Sequence, residues 1–203
     1  PNDASLGIAA GHIFDNNVYV IGSVIDRNGD PTDISEGFDT FFGDNEYFSS
    51  IEIGYTSGHS RIALDNVHLT LWHVDAREEA GAPSGWGANV SWTTYLAGKW
   101  LPFIRAGYAE DGGSLTQRSV SVGFGYQPNP GKNLLGVGLN WGQPNEGTWG
   151  PGLDDHYTAE LFYRWQISKA IAVTPDLQYI KNPALNPQDD SIFLFGLRAR
   201  IAL

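Results

Sequence analysis

The sequence contains no cysteine, no methionine and no apolar run of the roughly 18 residues that a membrane-spanning helix needs. The absence of cysteine excludes a disulfide framework and thiol chemistry. Charged residues make up 17% of the chain, below the roughly 25% of an ordinary soluble domain. The net charge of −11 argues against a nucleic acid as partner. These absences leave open a membrane protein built from strands, which needs no long apolar run.

The final stretch of the chain, SIFLFGLRARIAL from Ser191 to Leu203, shows a pattern that recurs throughout the sequence. Side chains alternate between two faces of a strand, so one face here would be continuously apolar and the other would carry Arg198 and Arg200. In a soluble sandwich the apolar face packs inward. In a transmembrane barrel it faces lipid, and the arginines line a wet lumen. The alternation alone leaves both structures open.

Segments with a period of two occur along the whole chain, and no convincing helical periodicity interrupts them. About eleven strands are predicted, several of them about 10 residues long or longer, which is typical of tilted membrane strands. The predicted strands lie near Ser5–Phe14, Val18–Asp26, Tyr47–Tyr55, Ile62–Val74, Trp86–Tyr95, Trp100–Ala109, Thr116–Tyr126, Asn133–Gly142, His156–Gln166, Ile171–Ile180 and Ser191–Leu203.

Short and long connections alternate between these strands. The short ones are Asp15–Asn17, Thr56–Arg61, Leu96–Lys99, Gln127–Lys132 and Ser168–Ala170. The longer ones are Arg27–Glu46, Asp75–Gly85, Gln143–Asp155 and Lys181–Asp190, and the intermediate one is Glu110–Leu115. Outer-membrane barrels alternate in this way, with tight periplasmic turns and longer outer loops. A Greek-key sandwich has no reason to do so.

Tyrosine and tryptophan recur at the predicted strand ends, as aromatic girdles at two membrane interfaces require. Ordinary enrichment of aromatic residues in strands is the alternative explanation. The residues are Tyr47, Trp86, Trp100, Tyr126, Trp141, Tyr157, Trp165 and Tyr179. Together these patterns predict an all-β fold, a transmembrane antiparallel up-and-down β-barrel.

Eight segments of the chain occur in the order GFDTFFGDNEYF, NVHLTLWHVDA, PSGWG, LPFIRAGYAEDGG, GVGLNWG, YTAELFYRWQIS, VTPDLQYIKNPALNP and FGLRARIAL. Through nearly the whole chain they resemble the C-terminal half of the carbohydrate-selective porins, the OprB family. The resemblance implies a Gram-negative outer-membrane barrel of about 16 strands. It also implies passive or facilitated diffusion of small sugars and no enzymatic activity.

The strand count suggests that part of the wall precedes the chain. A complete bacterial barrel has an even number of strands with both termini inside, and open sheet edges are not tolerated in lipid. About eleven strands would leave the N-terminus outside the cell. We therefore expect further strands before Pro1, so that residues 1–203 form the C-terminal portion of a single barrel domain.

A sugar channel needs polar groups that replace water on hydroxyls, and its binding must stay weak enough for release. Arginine forks span adjacent hydroxyls, carboxylates hold them in place, and Trp72 and Phe103 offer stacking surfaces. Arg105, Arg198 and Arg200 are expected at or near the constriction. For each polar residue the alternative is an ion pair that only braces the wall. The predicted lumen residues are Glu52, His68, Trp72, Phe103, Arg105, Glu160, Arg164, Asp176, Gln178, Arg198 and Arg200.

Other motifs carry less information. Asp26, Asn28 and Asp30 have the alternate spacing that opens a calcium loop, but the position of the closing glutamate is occupied by Gly37, and a simple Asn-Gly turn explains them. No cofactor is predicted, with calcium the weak alternative. No G-x-S-x-G motif supports a hydrolase. An outer-membrane enzyme or adhesin on the same barrel, or a soluble β-sandwich lectin, are the alternatives to the porin.

The partners expected from this interpretation are small carbohydrates, outer-membrane lipid and lipopolysaccharide, and the preceding strands of the same barrel. No nucleic acid is expected. A homo-oligomer is left open, as are the identity of the sugar and the size of the pore.

Overall fold

One antiparallel sheet of eleven strands, paired in chain order, makes up most of the structure. A computed structural model describes residues 5–29, 33, 35–77, 80–129 and 131–202. Asp30 and Leu203, which belong to the sequence predictions, lie outside the described residues. The strands are β1 (Gly7–Ile13), β2 (Val18–Asp26), β3 (Tyr47–Thr56), β4 (Asn66–Val74), β5 (Gly85–Thr93), β6 (Trp100–Asp111), β7 (Thr116–Tyr126), β8 (Leu134–Pro144), β9 (His156–Gln166), β10 (Ile171–Lys181) and β11 (Ser191–Ile201).

All eleven predicted strands are present, and β2, β7 and β9 have the predicted bounds. The largest difference lies before β4, which was expected to begin at Ile62 and begins at Asn66. His59–Arg61 form a 3₁₀ turn instead. Asp65 then accepts a hydrogen bond of 2.6 Å from the backbone N–H of Tyr95, which joins this connection to the one between β5 and β6. The local strand pattern could not reveal that contact, because Tyr95 lies far along the chain.

Two short helices were missed by the sequence analysis, which found no convincing helical periodicity. They are α1 (Glu36–Gly43) and the single turn α2 (Glu146–Trp149). Both are too short to show a helical period. The side chain of Asn145 caps α2 by accepting from the N–H of Gly147 at 2.9 Å. Within the described residues, no helix has the length and apolar character needed to cross a membrane.

The strand register gives the sheet two continuous faces. Directly paired residues share a face, and one row across six strands is apolar throughout: Pro102, Phe124, Val137, Leu161, Leu177 and Phe195. The neighbouring row, displaced by one residue, is Phe103, Gly123, Gly138, Glu160, Gln178 and Leu194. We call the face of the first row the apolar face and that of the second row the polar face.

The apolar face is open to its surroundings. Phe195 and Leu197 are 75% and 68% exposed. In the described part of the chain, the only buried hydrophobic residues are Tyr19, Val74, Ala109 and Ala172. A soluble sandwich would instead pack its apolar residues into a dry centre, and this sheet has no second sheet against it in the described residues. The alternative of a soluble lectin is therefore wrong, and the apolar face has the chemistry of a lipid contact.

Aromatic residues form two belts on the apolar face. The end with connections 14–17, 57–65, 94–99, 127–133 and 167–170 is called the turn end, and the opposite one the loop end. At the turn end the belt contains Tyr55, Trp92, Trp100, Tyr126, Tyr163 and Trp165; at the loop end it contains Trp86, Tyr108, Trp141, Tyr157 and Tyr179. Tyr47, also predicted for a girdle, packs its ring on Phe41 of α1, with ring centroids 5.1 Å apart.

Candidate functional site: the polar face

The polar face holds all eleven residues that were predicted for the lumen. Their positions follow from the pairings, which keep the two faces from β2 to β11 apart from one register shift between Thr116 and Arg118 at the end of β7. They fall into three groups along the sheet. The first lies on β3 and β4, the second on β6 and the third on β9 to β11. The groups differ in how many of their polar atoms have partners within the protein.

The first group, the braced patch, consists of Tyr19, Glu52, Asn66, His68 and Thr70. The two carboxylate oxygens of Glu52 accept hydrogen bonds from the Tyr19 hydroxyl at 2.9 Å and the Thr70 hydroxyl at 2.8 Å. The Asn66 amide donates to the Tyr19 oxygen at 2.7 Å. The His68 ring lies 2.5 Å from the Asn66 side-chain oxygen and 3.9 Å from Glu52. This network joins β2, β3 and β4 and leaves few free polar atoms.

Sequence analysis predicted Glu52 and His68 but missed Tyr19, which is only 1% exposed. A tyrosine within the apolar string VYVIGSVID looks like a lipid-facing residue. Its position in the alternation, however, is that of the polar face, since it pairs directly with Gly54 and thus lies level with His68. Strict counting of the alternation was the signal that could have identified it. Trp72, further along β4, stacks on Phe48 with ring centroids 5.8 Å apart.

The second group is centred on Arg105 of β6. Its guanidinium carbon lies 5.5 Å from the centre of the Phe103 ring, within reach of a cation–π contact. No ion pair to Arg105 is found among the described residues. A cavity of about 440 Å³ opens beside it, lined in part by His68, Asn89, Ser91, Ser119 and Ser121. Arg105 is thus an exposed cation among side chains that can form hydrogen bonds.

The third group, the open patch, consists of Glu160, Arg164, Asp176, Gln178 and Arg198. These residues line a cavity of about 500 Å³ together with Leu134, Phe162, Thr174 and Gly196. The Gln178 amide donates to Asp176 at 3.1 Å. Glu160 lies in contact with Asp176 and within electrostatic range of Arg198. One Arg164 nitrogen donates weakly to the Lys132 carbonyl at 3.4 Å. Both signs of charge therefore meet in one open hollow.

The three arginines predicted for a constriction are not brought together by this sheet. Arg198 and Arg200 lie on β11, and Arg200 pairs with Ala172 beyond the cavity. Arg105 lies five strands away on β6, roughly 24 Å along the sheet at the usual strand spacing. Only a wall that curves round would allow them to face one another, so a shared constriction stays a prediction.

The calcium motif takes part in a loop contact. Asp26 is 2% exposed, and its carboxylate accepts from the Thr40 hydroxyl at 2.5 Å and from the Asn28 N–H at 3.2 Å. The Asn28 amide donates to Glu46 at 2.9 Å. The described residues contain no group of three His, Cys, Asp or Glu that could hold a metal ion. These contacts fasten α1 and the following segment to the end of β2.

Comparison with known proteins points in one direction. The sequence profile of the family described as "Carbohydrate-selective porin, OprB family" matches residues 57–203. Among curated proteins, no sequence matches this chain. Among solved structures, OprB of Pseudomonas putida, in its high-pH structure, aligns with a TM-score of 0.71 and 15% identity over 96% of this chain. This chain spans 58% of the length of that protein. At that identity the likeness concerns the fold.

A second solved structure, a bacterial polysaccharide outer membrane secretin, aligns with 97% of this chain and 69% of its own. The TM-score is 0.43 and the identity 10%, values too low to support an argument about this protein.

Proposed function

Because the chain belongs to the carbohydrate-selective porins of the OprB family, we propose that it forms the wall of a channel through which small sugars diffuse. The protein is an outer-membrane protein with an antiparallel barrel fold, as its family and fold indicate. In this proposal it moves solute down a concentration gradient and performs no reaction.

The observation that carries the proposal is the opposite chemistry of the two faces. The apolar face exposes large hydrophobic side chains between two aromatic belts, as lipid requires. The polar face carries arginines, carboxylates, amides and hydroxyls, which only a water-filled space can accommodate at this depth. A wall with a hydrophobic outer surface and a hydrogen-bonding inner surface suits a channel for hydrated, uncharged solutes.

A channel of this kind has to be closed. Within the described residues β1 and β11 pair on one side only, and their outer edges carry free backbone groups. Such edges are not tolerated in lipid, and this chain matches 58% of the related structure. We therefore propose that further strands complete the barrel, with the turn end toward the periplasm and the loop end outside.

The open patch is the part of the polar face best suited to meet a sugar. Its cavity of about 500 Å³ lies within the roughly 300–1,000 Å³ of small-molecule sites. Arg198 supplies a planar donor fork, while Glu160 and Asp176 supply acceptors, so adjacent hydroxyls could exchange water for protein partners. Because the hollow opens to the lumen and binds through few groups, release stays fast enough for flux.

Liposome swelling with a panel of neutral sugars tests the function. The full gene product is reconstituted into vesicles, which are then diluted into isotonic monosaccharide, disaccharide or longer oligosaccharide. We expect swelling with the small sugars and a steep loss with increasing length, as size-selective diffusion requires. The heat-denatured protein is the control. Equal swelling with all sugars, or none above that control, would contradict the proposal.

A further inference from the structure

Four phenylalanine, tyrosine or tryptophan side chains on the polar face occupy the space above a glycine in the directly paired position of an adjacent strand. The pairs are Tyr19 with Gly54, Trp72 with Gly87, Phe103 with Gly123 and Phe162 with Gly136. At each of these glycines an added Cβ atom would stand within 3.0 Å of the ring. The pairs occur at four separate places between β2 and β9. In each case the ring therefore lies against the wall only because the opposite residue lacks a side chain.

The alternative position for each ring is the lumen. A ring on the polar face that cannot lie across its glycine must turn away from the backbone of its neighbour, toward the space in which solute moves. For Phe162 that space is the cavity of the open patch, which its ring lines beside Arg198 and Glu160. The glycine thus controls how far the aromatic side chain projects into the channel.

We propose that these glycines determine the width of the channel: each holds an aromatic ring flat on the wall, and a methyl group in its place would push the ring into the lumen. The inference rests on the proposed channel function. It assigns a role in solute selection to residues that have no hydrogen-bonding group of their own.

Gly136 gives the cleanest test, because the three atoms nearest to its added Cβ all belong to the Phe162 ring. At Gly87 and Gly123 the added Cβ would also clash with a backbone oxygen, so alanine there would disturb the strand itself. Gly138 is the matched control. It lies two residues further along β8 on the same face, and an added Cβ meets nothing within 4 Å.

The experiment measures single-channel conductance in planar bilayers for the full gene product and for Gly136→Ala, Gly138→Ala, Phe162→Ala and Gly136→Ala/Phe162→Ala. We expect Gly136→Ala to lower the conductance by roughly 1.5-fold, since the ring narrows the path. Gly138→Ala should leave it unchanged. In the Phe162→Ala background the Gly136 substitution should have no effect, because the ring through which it acts is gone.

Single-channel conductance is independent of the amount of folded protein, so a loss of stability alone would not produce this pattern. The inference is overturned if Gly136→Ala conducts like Gly138→Ala, or if its effect persists without Phe162. Should Gly136→Ala fail to fold, the double variant Gly136→Ala/Phe162→Ala decides: it must fold and conduct like Phe162→Ala, and a failure to fold or a lower conductance overturns the inference. A wild-type protein that does not conduct contradicts the channel function itself.

Discussion

The two faces of the sheet differ in how uniform they are. Across the apolar face, from Ile8 to Ile201, exposed hydrophobic side chains recur on strand after strand, because lipid makes the same demand of every residue that contacts it. The polar face varies along the sheet. It is tightly hydrogen-bonded at Glu52, and more open around Arg198. The apolar face therefore indicates the environment of the protein, while the differences along the polar face indicate which residues carry the function.

The polar face itself divides into a part that braces the wall and a part that is free to bind. Both carboxylate oxygens of Glu52 have hydroxyl donors from neighbouring strands. Asp176 has one amide donor from its own strand and lies against a second carboxylate, that of Glu160. Polar groups whose hydrogen-bonding capacity is already used within the protein have few free donors or acceptors for a solute. The predictions below test both divisions, beginning with the largest expected effect.

Placing one arginine on either face of β10 gives the strongest test of the difference between the faces. Leu177→Arg puts the charge among Leu161 and Phe195 on the apolar face. We expect it to destabilise the protein by about 2–4 kcal/mol, the cost at the bilayer midplane. The control Gln178→Arg, one residue along, faces the polar side and should cost far less. Urea unfolding in lipid vesicles measures both, and equal losses would contradict the assignment of the faces.

Neutralising a carboxylate distinguishes the braced patch from the open patch. Glu52→Gln leaves one acceptor oxygen for the two hydroxyls of Tyr19 and Thr70. We expect a loss of about 1–2 kcal/mol, the usual cost of an unsatisfied polar group. Asp176→Asn should be neutral or slightly stabilising, because it relieves the repulsion from Glu160. The same unfolding experiment compares the two variants. A larger loss of stability for Asp176→Asn than for Glu52→Gln would contradict the distinction between the braced patch and the open patch.

Asp65 at the turn end supplies a carboxylate that belongs to neither face. The hydrogen bond from the Tyr95 N–H, with further donors from Thr94, Ser57 and Arg61, holds the pKa of Asp65 below its usual range. A lowered folded-state pKa gives stability that is present above the unfolded value near 3.9 and is lost as the pH falls through the folded value.

We therefore expect Asp65→Asn to cost about 1 kcal/mol at neutral pH, since a charge-assisted hydrogen bond is weakened at a partly exposed site. The difference from the wild type should begin to shrink below about pH 4, where the carboxylate of the unfolded wild type binds a proton, and should vanish below the lowered pKa of the folded state. Unfolding curves at a series of pH values measure this. A difference that stays constant with pH would contradict the role of the charge.

The smallest effect on stability is expected for the arginines of the polar face. Substituting Arg105, Arg198 and Arg200 together by glutamine should leave stability within about 0.5 kcal/mol, because none of them forms an ion pair of 4 Å or less with another described residue. It should make the channel less selective for anions and change sugar flux, because the positive potential in the lumen falls. Reversal potentials in planar bilayers measure the selectivity.

The matched pair for this test is Arg198→Gln and Arg118→Gln. Arg118 pairs with Tyr108 on the apolar face near the loop end, so it carries the same charge outside the lumen. Only Arg198→Gln should shift the reversal potential. A triple variant with unchanged selectivity and flux, or an equal shift from Arg118→Gln, would show that the arginines of the polar face do not act on solute.

Much of this fold could be read from the alternation along the chain. A period of two is a local property, and it fixes both the strand and the face on which each residue lies. All eleven strands and the common face of the predicted lumen residues, from Glu52 to Arg200, followed from it. Helix α1 was not predicted because eight residues are too few to show a period. The role of Asp65 was not predicted because its partners come from another connection.

The sequence by itself therefore determined which side of the wall each residue faces, since strand geometry needs only neighbouring residues to express it. Only the tertiary structure decided which polar residues meet. It brought Tyr19 to Glu52, laid Phe162 across Gly136 and kept Arg105 five strands from Arg198. These relations depend on the register between strands, which is set by hydrogen bonding and packing across the sheet rather than along the chain.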